Sequence, residues 1–122
     1  MCIRDRCNDD QPYVMKLDGG KQILSVPYPQ QCNDKPAYER MYVSPDEFKG
    51  ILCRTFDVLY REGAESGRVM AIAVHPFVTG QPHRVVALER ALEHICSHAG
   101  VWKATGWEIV EHYLRSDFAR AL

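Results

Sequence analysis

The stretch 68–84 constrains the fold most, because an apolar run there ends in a histidine that is followed by a proline. Residues 69–74 are all apolar, and such a run between turn signals predicts a strand buried on both faces, as in a parallel sheet. Pro76 lacks a backbone N–H and ends the strand, which places His75 at its carboxyl end. Ligands and catalytic groups sit at that end of the strands in α/β proteins. We therefore predict a functional His75; the alternative is a histidine that caps the strand through backbone bonds.

Capping and turn signals predict the elements around this strand. Ser44 and Glu47 form a capping box with Pro45 at the first helical position, so a helix should begin there. A turn at Asp18, Gly19 and Gly20 predicts a hairpin. The predicted ranges are strands over 13–17, 21–26, 69–74 and 101–104, helices over 45–62, 82–99 and 105–114, and irregular structure over 37–43. Alternation of helix and strand from residue 44 onward predicts parallel strands with helices outside them.

The helix predicted over 82–99 should bury one face and leave two histidines outside it. The predicted buried residues are Val85, Leu88, Ala91, Leu92 and Ile95. His94 and His98 have the i,i+4 spacing that a metal site needs, but no glutamate follows His94 as in the H-E-x-x-H pattern. We interpret both as surface histidines, with His98 favourably placed at the helix C-terminus. No metal site is predicted within this chain.

Composition excludes several classes of function. The chain has 122 residues, enough for one domain with a modest core, and a formal net charge of -1. This charge gives no footprint for nucleic acid, and no apolar run approaches the ~20 residues of a membrane span. The 5 cysteines are irregularly spaced without a C-x-x-C pair, which favours reduced thiols and a cytoplasmic setting.

Residues 1–6, Met-Cys-Ile-Arg-Asp-Arg, resemble a translated sequencing-adapter read-through. We interpret them as non-native and set them aside from the fold. Residues 7–122 would then be the carboxy-terminal portion of a longer domain.

Several segments together resemble one protein family. They are Asn8-Asp9-Asp10-Gln11-Pro12-Tyr13, Val26-Pro27-Tyr28-Pro29 with Asn33-Asp34, Ala73-Val74-His75-Pro76 with Gly80-Gln81-Pro82-His83-Arg84, and Val101-Trp102. Their order and spacing resemble the polysaccharide deacetylase (NodB homology) family, in particular its allantoinase-like branch. The resemblance implies an α/β fold, the carboxy-terminal part of a distorted (β/α)7 TIM-like barrel with its site at the strand carboxyl ends. Three parallel strands cannot close such a barrel, which agrees with a fragment.

The resemblance also implies an activity, the hydrolysis of carbon–nitrogen bonds other than peptide bonds. The substrate would be a small molecule, either an N-acetyl group on carbohydrate or a cyclic amide or ureide such as allantoin. The family carries an early Asp-Asp motif, then a His-x-x-x-His pair of metal ligands, and a late histidine that acts as general acid. Only the late histidine has a counterpart here, at His75, so the base and the ligands of any divalent metal would lie outside this chain.

His75 is therefore the predicted general acid, which protonates the leaving nitrogen. Such a histidine needs an orienting partner on its second ring nitrogen. The candidates are Asp9, Asp10 and Asp34, each on a polar loop, and we favour Asp34 or Asp10.

Four further residues are candidates for substrate binding. Asn33 and Gln11 have amide groups that suit an amide or imide substrate, and Tyr28 and Phe77 suit pocket walls. The fragment alone is expected to be inactive, and homo-oligomerisation is left open. The competing hypothesis is a non-catalytic half-barrel that binds a ligand or a partner.

Overall fold

The computed structural model describes residues 2–4 and 10–116. It is a mixed α/β structure, as the sequence predicts. The strands are β1 (Cys2–Arg4), β2 (Tyr13–Lys16) and β3 (Gln22–Val26), and the helices are α1 (Asp34–Glu39), α2 (Pro45–Glu62), α3 (Pro76–Thr79), α4 (Pro82–Cys96) and α5 (Gly106–Arg115). None of the helices in these ranges has the length and apolarity required to cross a membrane.

The three strands form one sheet in the order β1-β3-β2. β2 and β3 are antiparallel, and the turn between them contains Gly19 and Gly20 with φ of 78° and 74°, a conformation that favours glycine. The predicted hairpin is thus confirmed. β1, which belongs to the residues set aside from the sequence interpretation, pairs in parallel with β3.

The predicted strand over 69–74 is not a regular strand. It forms one parallel bridge, in which Ala73 N donates to Cys32 O and Asp34 N donates to Ala73 O, both at 3.0 Å. The ladder stops there because the chain after Asn33 enters α1 instead of continuing beside the segment. The prediction of burial on both faces is also wrong, since the side chains are half-buried and Val74 is 45% exposed.

Two further ranges differ from the sequence prediction. Residues 101–104 form no strand, and Trp102 in this segment is exposed. The range 37–43, predicted as irregular, begins inside α1, because the Asn33 side chain accepts a hydrogen bond from Lys35 N at 3.1 Å and caps that helix. An asparagine N-cap followed by Pro36 in the first turn is a helix-start signal that the sequence interpretation treated as a loop.

α2 is the helix on which the core is built, and its predicted bounds are confirmed. Ser44 N donates to Glu47 Oε2 at 2.6 Å and Glu47 N donates to Ser44 Oγ at 3.2 Å, which completes the capping box. α2 packs against α4. The core cluster consists of Cys32, Ala37, Tyr38, Phe48, Leu52, Val78 and Ala91.

The predicted buried face of α4 is confirmed in part: Ala91 and Ile95 are buried and Leu88 packs against the core. Its buried residues are Ala87, Ala91 and Ile95, whereas Val85 and Leu92 are exposed. α4 packs against α2, and the i,i+4 spacing of its three buried residues places them on one face of the helix. The helix ends at Cys96 and does not reach Ala99.

Tyr38 belongs to this core cluster. Its ring is 5.2 Å from the ring of Phe48, and the Arg84 guanidinium stacks over it at 4.3 Å. Its hydroxyl is buried and has no hydrogen-bond partner within the described ranges. Burial raises the pKa of Tyr38, an effect that Arg84 partly offsets.

Candidate active site

His75 stands at the junction between the extended segment and α3. It is the N-cap residue of α3, with extended φ and ψ of -115° and 130°. Its carbonyl accepts hydrogen bonds from Val78 N and Thr79 N, both at 2.9 Å. Pro76 at the first helical position turns the chain into α3 without an unsatisfied N–H. The local sequence therefore fixes the backbone from which the imidazole projects.

Asp34 holds His75 from the first turn of α1. Asp34 Oδ1 lies 2.7 Å from His75 Nδ1, and Asp34 Oδ2 accepts from His75 N at 2.7 Å. The Thr79 hydroxyl donates to the same Oδ2 at 2.5 Å. The carboxylate thus has three donors although its side chain is 0% exposed, which satisfies a charge that would otherwise be costly to bury.

These bonds keep the carboxylate ionised. Burial raises the pKa of Asp34, but the hydrogen bonds from His75 N, Thr79 and the His75 ring outweigh this effect and leave the pKa below its ordinary value. An ionised carboxylate only accepts, so His75 Nδ1 is the donor. Nε2 is then the ring nitrogen available for proton exchange, and the His75 side chain is 36% exposed.

An aromatic ring lies beside the imidazole, and a lysine lies near that ring. The Phe77 ring is exposed and lies 5.6 Å from the His75 ring. Lys35 Nζ lies 5.7 Å from the centre of the Phe77 ring. An apolar ring therefore lies beside His75, and a cation lies near that ring, an arrangement suited to a polar organic substrate.

Two other predicted residues, Asn33 and Tyr28, precede Asp34 in the chain and contact each other. Asn33 Nδ2 donates to the Tyr28 hydroxyl at 3.4 Å, while Asn33 Oδ1 caps α1. Because the cap uses one end of the Asn33 amide, this side chain has a structural role in addition to any contact with substrate.

The first polar loop reaches a different part of the extended segment. Gln11 Nε2 donates to Gly67 O at 2.8 Å, and Asp10 O accepts from Val69 N at 2.8 Å. Both contacts are at the amino end of the segment whose carboxyl end carries His75. Asp9 lies outside the described residues.

Two residues of the site were not identified from the sequence. Thr79 is one helical turn after His75, a spacing that could have indicated a hydroxyl beside the Asp34 carboxylate. Lys35 directly follows Asp34, but its side-chain position depends on α1, which the sequence interpretation missed.

Gly80 closes α3 at the point where the chain turns into α4. Its N–H donates to Pro76 O at 3.0 Å. A Cβ at this position would lie 2.3 Å from Pro76 O, which is a backbone atom next to His75. The close approach therefore requires glycine although its φ of -69° is ordinary.

The surroundings of His75 do not fit a resident metal ion. Within the described ranges, no group of three possible ligand residues includes His75, and the Asp34 oxygens already accept three hydrogen bonds. One imidazole nitrogen is too few ligands for a divalent ion. We therefore derive no step through a metal from these residues.

The chain is similar to several proteins of known name. No protein-family model matches it. It is 37% identical over 117 residues to a Schizosaccharomyces pombe protein named as a polysaccharide deacetylase, and 32% identical over 76 residues to the peptidoglycan deacetylase of Helicobacter pylori. These matches cover 88% and 62% of the chain.

Two crystal structures resemble the fold. PuuE allantoinase matches with a TM-score of 0.87 at 33% identity, and a Pseudomonas aeruginosa PAO1 protein named as a polysaccharide deacetylase matches with a TM-score of 0.86 at 32% identity. Each match covers 94% of this chain and 39% of the other, and the chain spans 37% of the S. pombe relative. Over most of its length, the chain therefore belongs with the homologous polysaccharide deacetylases and allantoinase, as its sequence motifs indicate.

Proposed function

We propose that this chain supplies the acid half of the active site of a hydrolase that cleaves carbon–nitrogen bonds other than peptide bonds. The proposal rests on the contact between His75 Nδ1 and Asp34 Oδ1 at 2.7 Å. Because this contact occupies Nδ1, Nε2 is the ring nitrogen that can give a proton to a substrate. The names of the relatives support the same bond class, since deacetylases and allantoinase both hydrolyse such bonds.

The proposed reaction begins when water adds to the substrate carbonyl carbon and forms a tetrahedral intermediate. A nitrogen anion is a poor leaving group, so the C–N bond breaks as the nitrogen takes the proton from His75 Nε2. His75 becomes neutral, and the products are a carboxylate and an amine or amide. Asp34 stabilises the protonated ring before transfer and keeps Nδ1 facing away from the substrate.

The base that activates the water is proposed to come from the part of the relatives that this chain does not span. The mixed α/β fold and its likeness to the two crystal structures support a partial TIM-like barrel, with His75 at the carboxyl end of an extended segment. The 122-residue chain alone should therefore show no turnover.

The substrate is proposed to be small and polar, either an N-acetylated carbohydrate or a cyclic ureide. Both classes occur among the names of the relatives. The exposed Phe77 ring beside His75 would pack on the apolar face of a sugar or a planar ureide ring. Lys35 near that ring would attract electron-rich carbonyl groups.

A chimera tests the proposal. This chain replaces the matching part of PuuE allantoinase, and turnover is measured with allantoin and with N-acetylated oligosaccharides. His75→Ala should lower turnover by ~100-fold or more, the usual contribution of general acid catalysis. His75→Gln serves as a second variant, and both alanine and glutamine keep the backbone N–H that donates to Asp34.

His112→Ala is the matched control, since His112 is an exposed histidine on α5. It should leave turnover within about twofold. A folded chimera whose turnover is the same with His75 and with alanine at this position would contradict the assignment. Turnover by the purified 122-residue chain would contradict the proposed division of the site.

A further inference from the structure

A second cluster of ligand-type side chains lies between α2 and α4. Each of three residues presents a ligand atom: Asp57 on α2, His94 in the last turn of α4, and His98 just after that helix. These three atoms lie within 4.8 Å of one another. His94 Nε2 lies 2.7 Å from Asp57 Oδ1, and the two imidazole rings are 4.9 Å apart. Residues predicted as surface histidines therefore contact another helix.

Hydrogen bonds determine which ring nitrogen of each of the two histidines can act as a metal ligand. His98 Nδ1 lies 2.8 Å from His94 O, a carbonyl that can only accept, so Nδ1 carries the hydrogen and Nε2 of the neutral ring carries the lone pair. Metal-bound histidines commonly donate their other N–H to a carbonyl in this way. His94 Nε2 faces the Asp57 carboxylate, and a cation that entered between them would replace the shared proton.

Aromatic packing holds His98 in place. The rings of Phe56 and Tyr60 each lie 4.9 Å from the His98 ring. The Tyr60 hydroxyl donates to Ala99 O at 2.9 Å, which ties the turn after α4 to α2. This ligand is therefore largely preorganised.

Asp57 has the freedom to complete a coordination shell. Zinc bonds of about 2.0–2.2 Å place neighbouring tetrahedral ligand atoms about 3.4 Å apart. The 2.7 Å contact must open by about 0.7 Å, which the exposed Asp57 side chain permits. Three protein ligands leave a fourth position for water, and two imidazoles with one carboxylate suit zinc and its neighbours better than magnesium or calcium.

We propose that Asp57, His94 and His98 form a binding site for a divalent transition-metal ion that joins α2 to the end of α4. The site is separate from His75, because His94 is 12 residues along α4 from Pro82, or about 18 Å. The pair also follows His75 along the chain, whereas the family resemblance places its His-x-x-x-His ligands before the late histidine. The ion would cross-link the two packed helices.

Calorimetric titration of the purified 122-residue chain with Zn²⁺ tests the proposal, with Co²⁺ absorption reporting the geometry. Saturable binding near one ion per chain and a zinc-dependent rise in melting temperature are expected. His94→Ala should weaken zinc binding by at least ~10–100-fold, because the loss of a residue that merely hydrogen-bonds to a metal ligand typically costs that much affinity. His98→Phe should do the same while it keeps the ring packing against Phe56 and Tyr60.

Two controls locate the ion. His112→Ala removes an imidazole outside the cluster, and Cys96→Ser removes an exposed thiol on α4; neither should change the affinity for zinc. Absence of zinc binding by the unaltered chain would overturn the proposal. So would binding that survives in both His94→Ala and His98→Phe, or binding that disappears with Cys96→Ser.

Discussion

Asp34 binds both the main chain and the ring of His75. One buried carboxylate therefore fixes where the imidazole stands and which of its nitrogens carries the proton. The two residues are 41 positions apart, so the contact also ties α1 to the start of α3. Local folding and the proposed chemistry consequently depend on the same side chain.

Removal of this carboxylate should destabilise the chain strongly. Asp34→Ala deletes the acceptor of three hydrogen bonds and leaves the Thr79 hydroxyl and the His75 N–H without it. Each bond to a charged group contributes about 1.5–3 kcal/mol, so we expect a loss of ~3 kcal/mol or more in the free energy of unfolding, measured by urea denaturation. Glu89→Ala, on the exposed face of α4, should change it by less than ~0.5 kcal/mol. A loss below ~1 kcal/mol at Asp34 would contradict the account.

The Asp34 carboxylate should also make the free energy of unfolding depend on pH in the acid range. The pKa of Asp34 is lower in the folded chain than its ordinary value of about 4. The unfolded chain then binds more protons in this range, so the contribution of Asp34 is present above pH ~4 and is lost as the pH falls through the lower, folded value. Urea denaturation should show that the free energy of unfolding falls less between pH 7 and 3 in Asp34→Asn than in the unaltered chain. An equal decrease in both proteins would exclude the Asp34 carboxylate as the cause of the pH dependence.

Loss of the Tyr38 hydroxyl should not destabilise the core. It is buried without a hydrogen-bond partner in the described ranges, so Tyr38→Phe removes a desolvation penalty and keeps the ring. We expect the free energy of unfolding to stay constant or to rise by about 1 kcal/mol, measured by thermal or urea denaturation. Tyr38→Ala is the contrasting variant and should cost about 3 kcal/mol or more, because it also removes the contacts with Phe48 and Arg84. A clear loss in Tyr38→Phe would reveal a partner such as an ordered water.

The capping box of α2 predicts a smaller effect. Ser44→Ala removes the side-chain acceptor for Glu47 N and should cost about 1 kcal/mol of unfolding free energy. Ser44→Gly should cost only a few tenths of that, because glycine is tolerated at the N-cap. Chemical denaturation of the two variants compares these costs directly; equal effects would argue against the cap as the cause.

Sequence reasoning succeeded where the determining contacts are local. The capping box at Ser44 and Glu47 and the glycines after Asp18 act over a few residues, and the corresponding helix and hairpin were predicted correctly. The extended segment over 69–74 was identified, but its pairing depends on the path of the chain after Asn33. That path follows from α1, whose N-cap was interpreted as part of a polar loop.

The site shows the same limit. His75 and Asp34 were both named from the sequence, yet the choice of Asp34 over Asp10 required the through-space contact. The pairing of Asp57 with His94 also connects distant positions, 37 residues apart, and helical spacing within α4 gave no sign of it. Residue types indicated the chemistry, whereas the packing of α1, α2 and α4 selected the partners.

The position of His75 also depends on Gly80, although Gly80 has no side chain that could take part in the reaction. A methyl group there would push against the Pro76 carbonyl and shift the residue that follows the imidazole. A substitution of Gly80 would therefore abolish the proposed reaction even in a relative that keeps both the aspartate and the histidine. A survey for active relatives should accordingly ask for the glycine as well as the acid–imidazole pair.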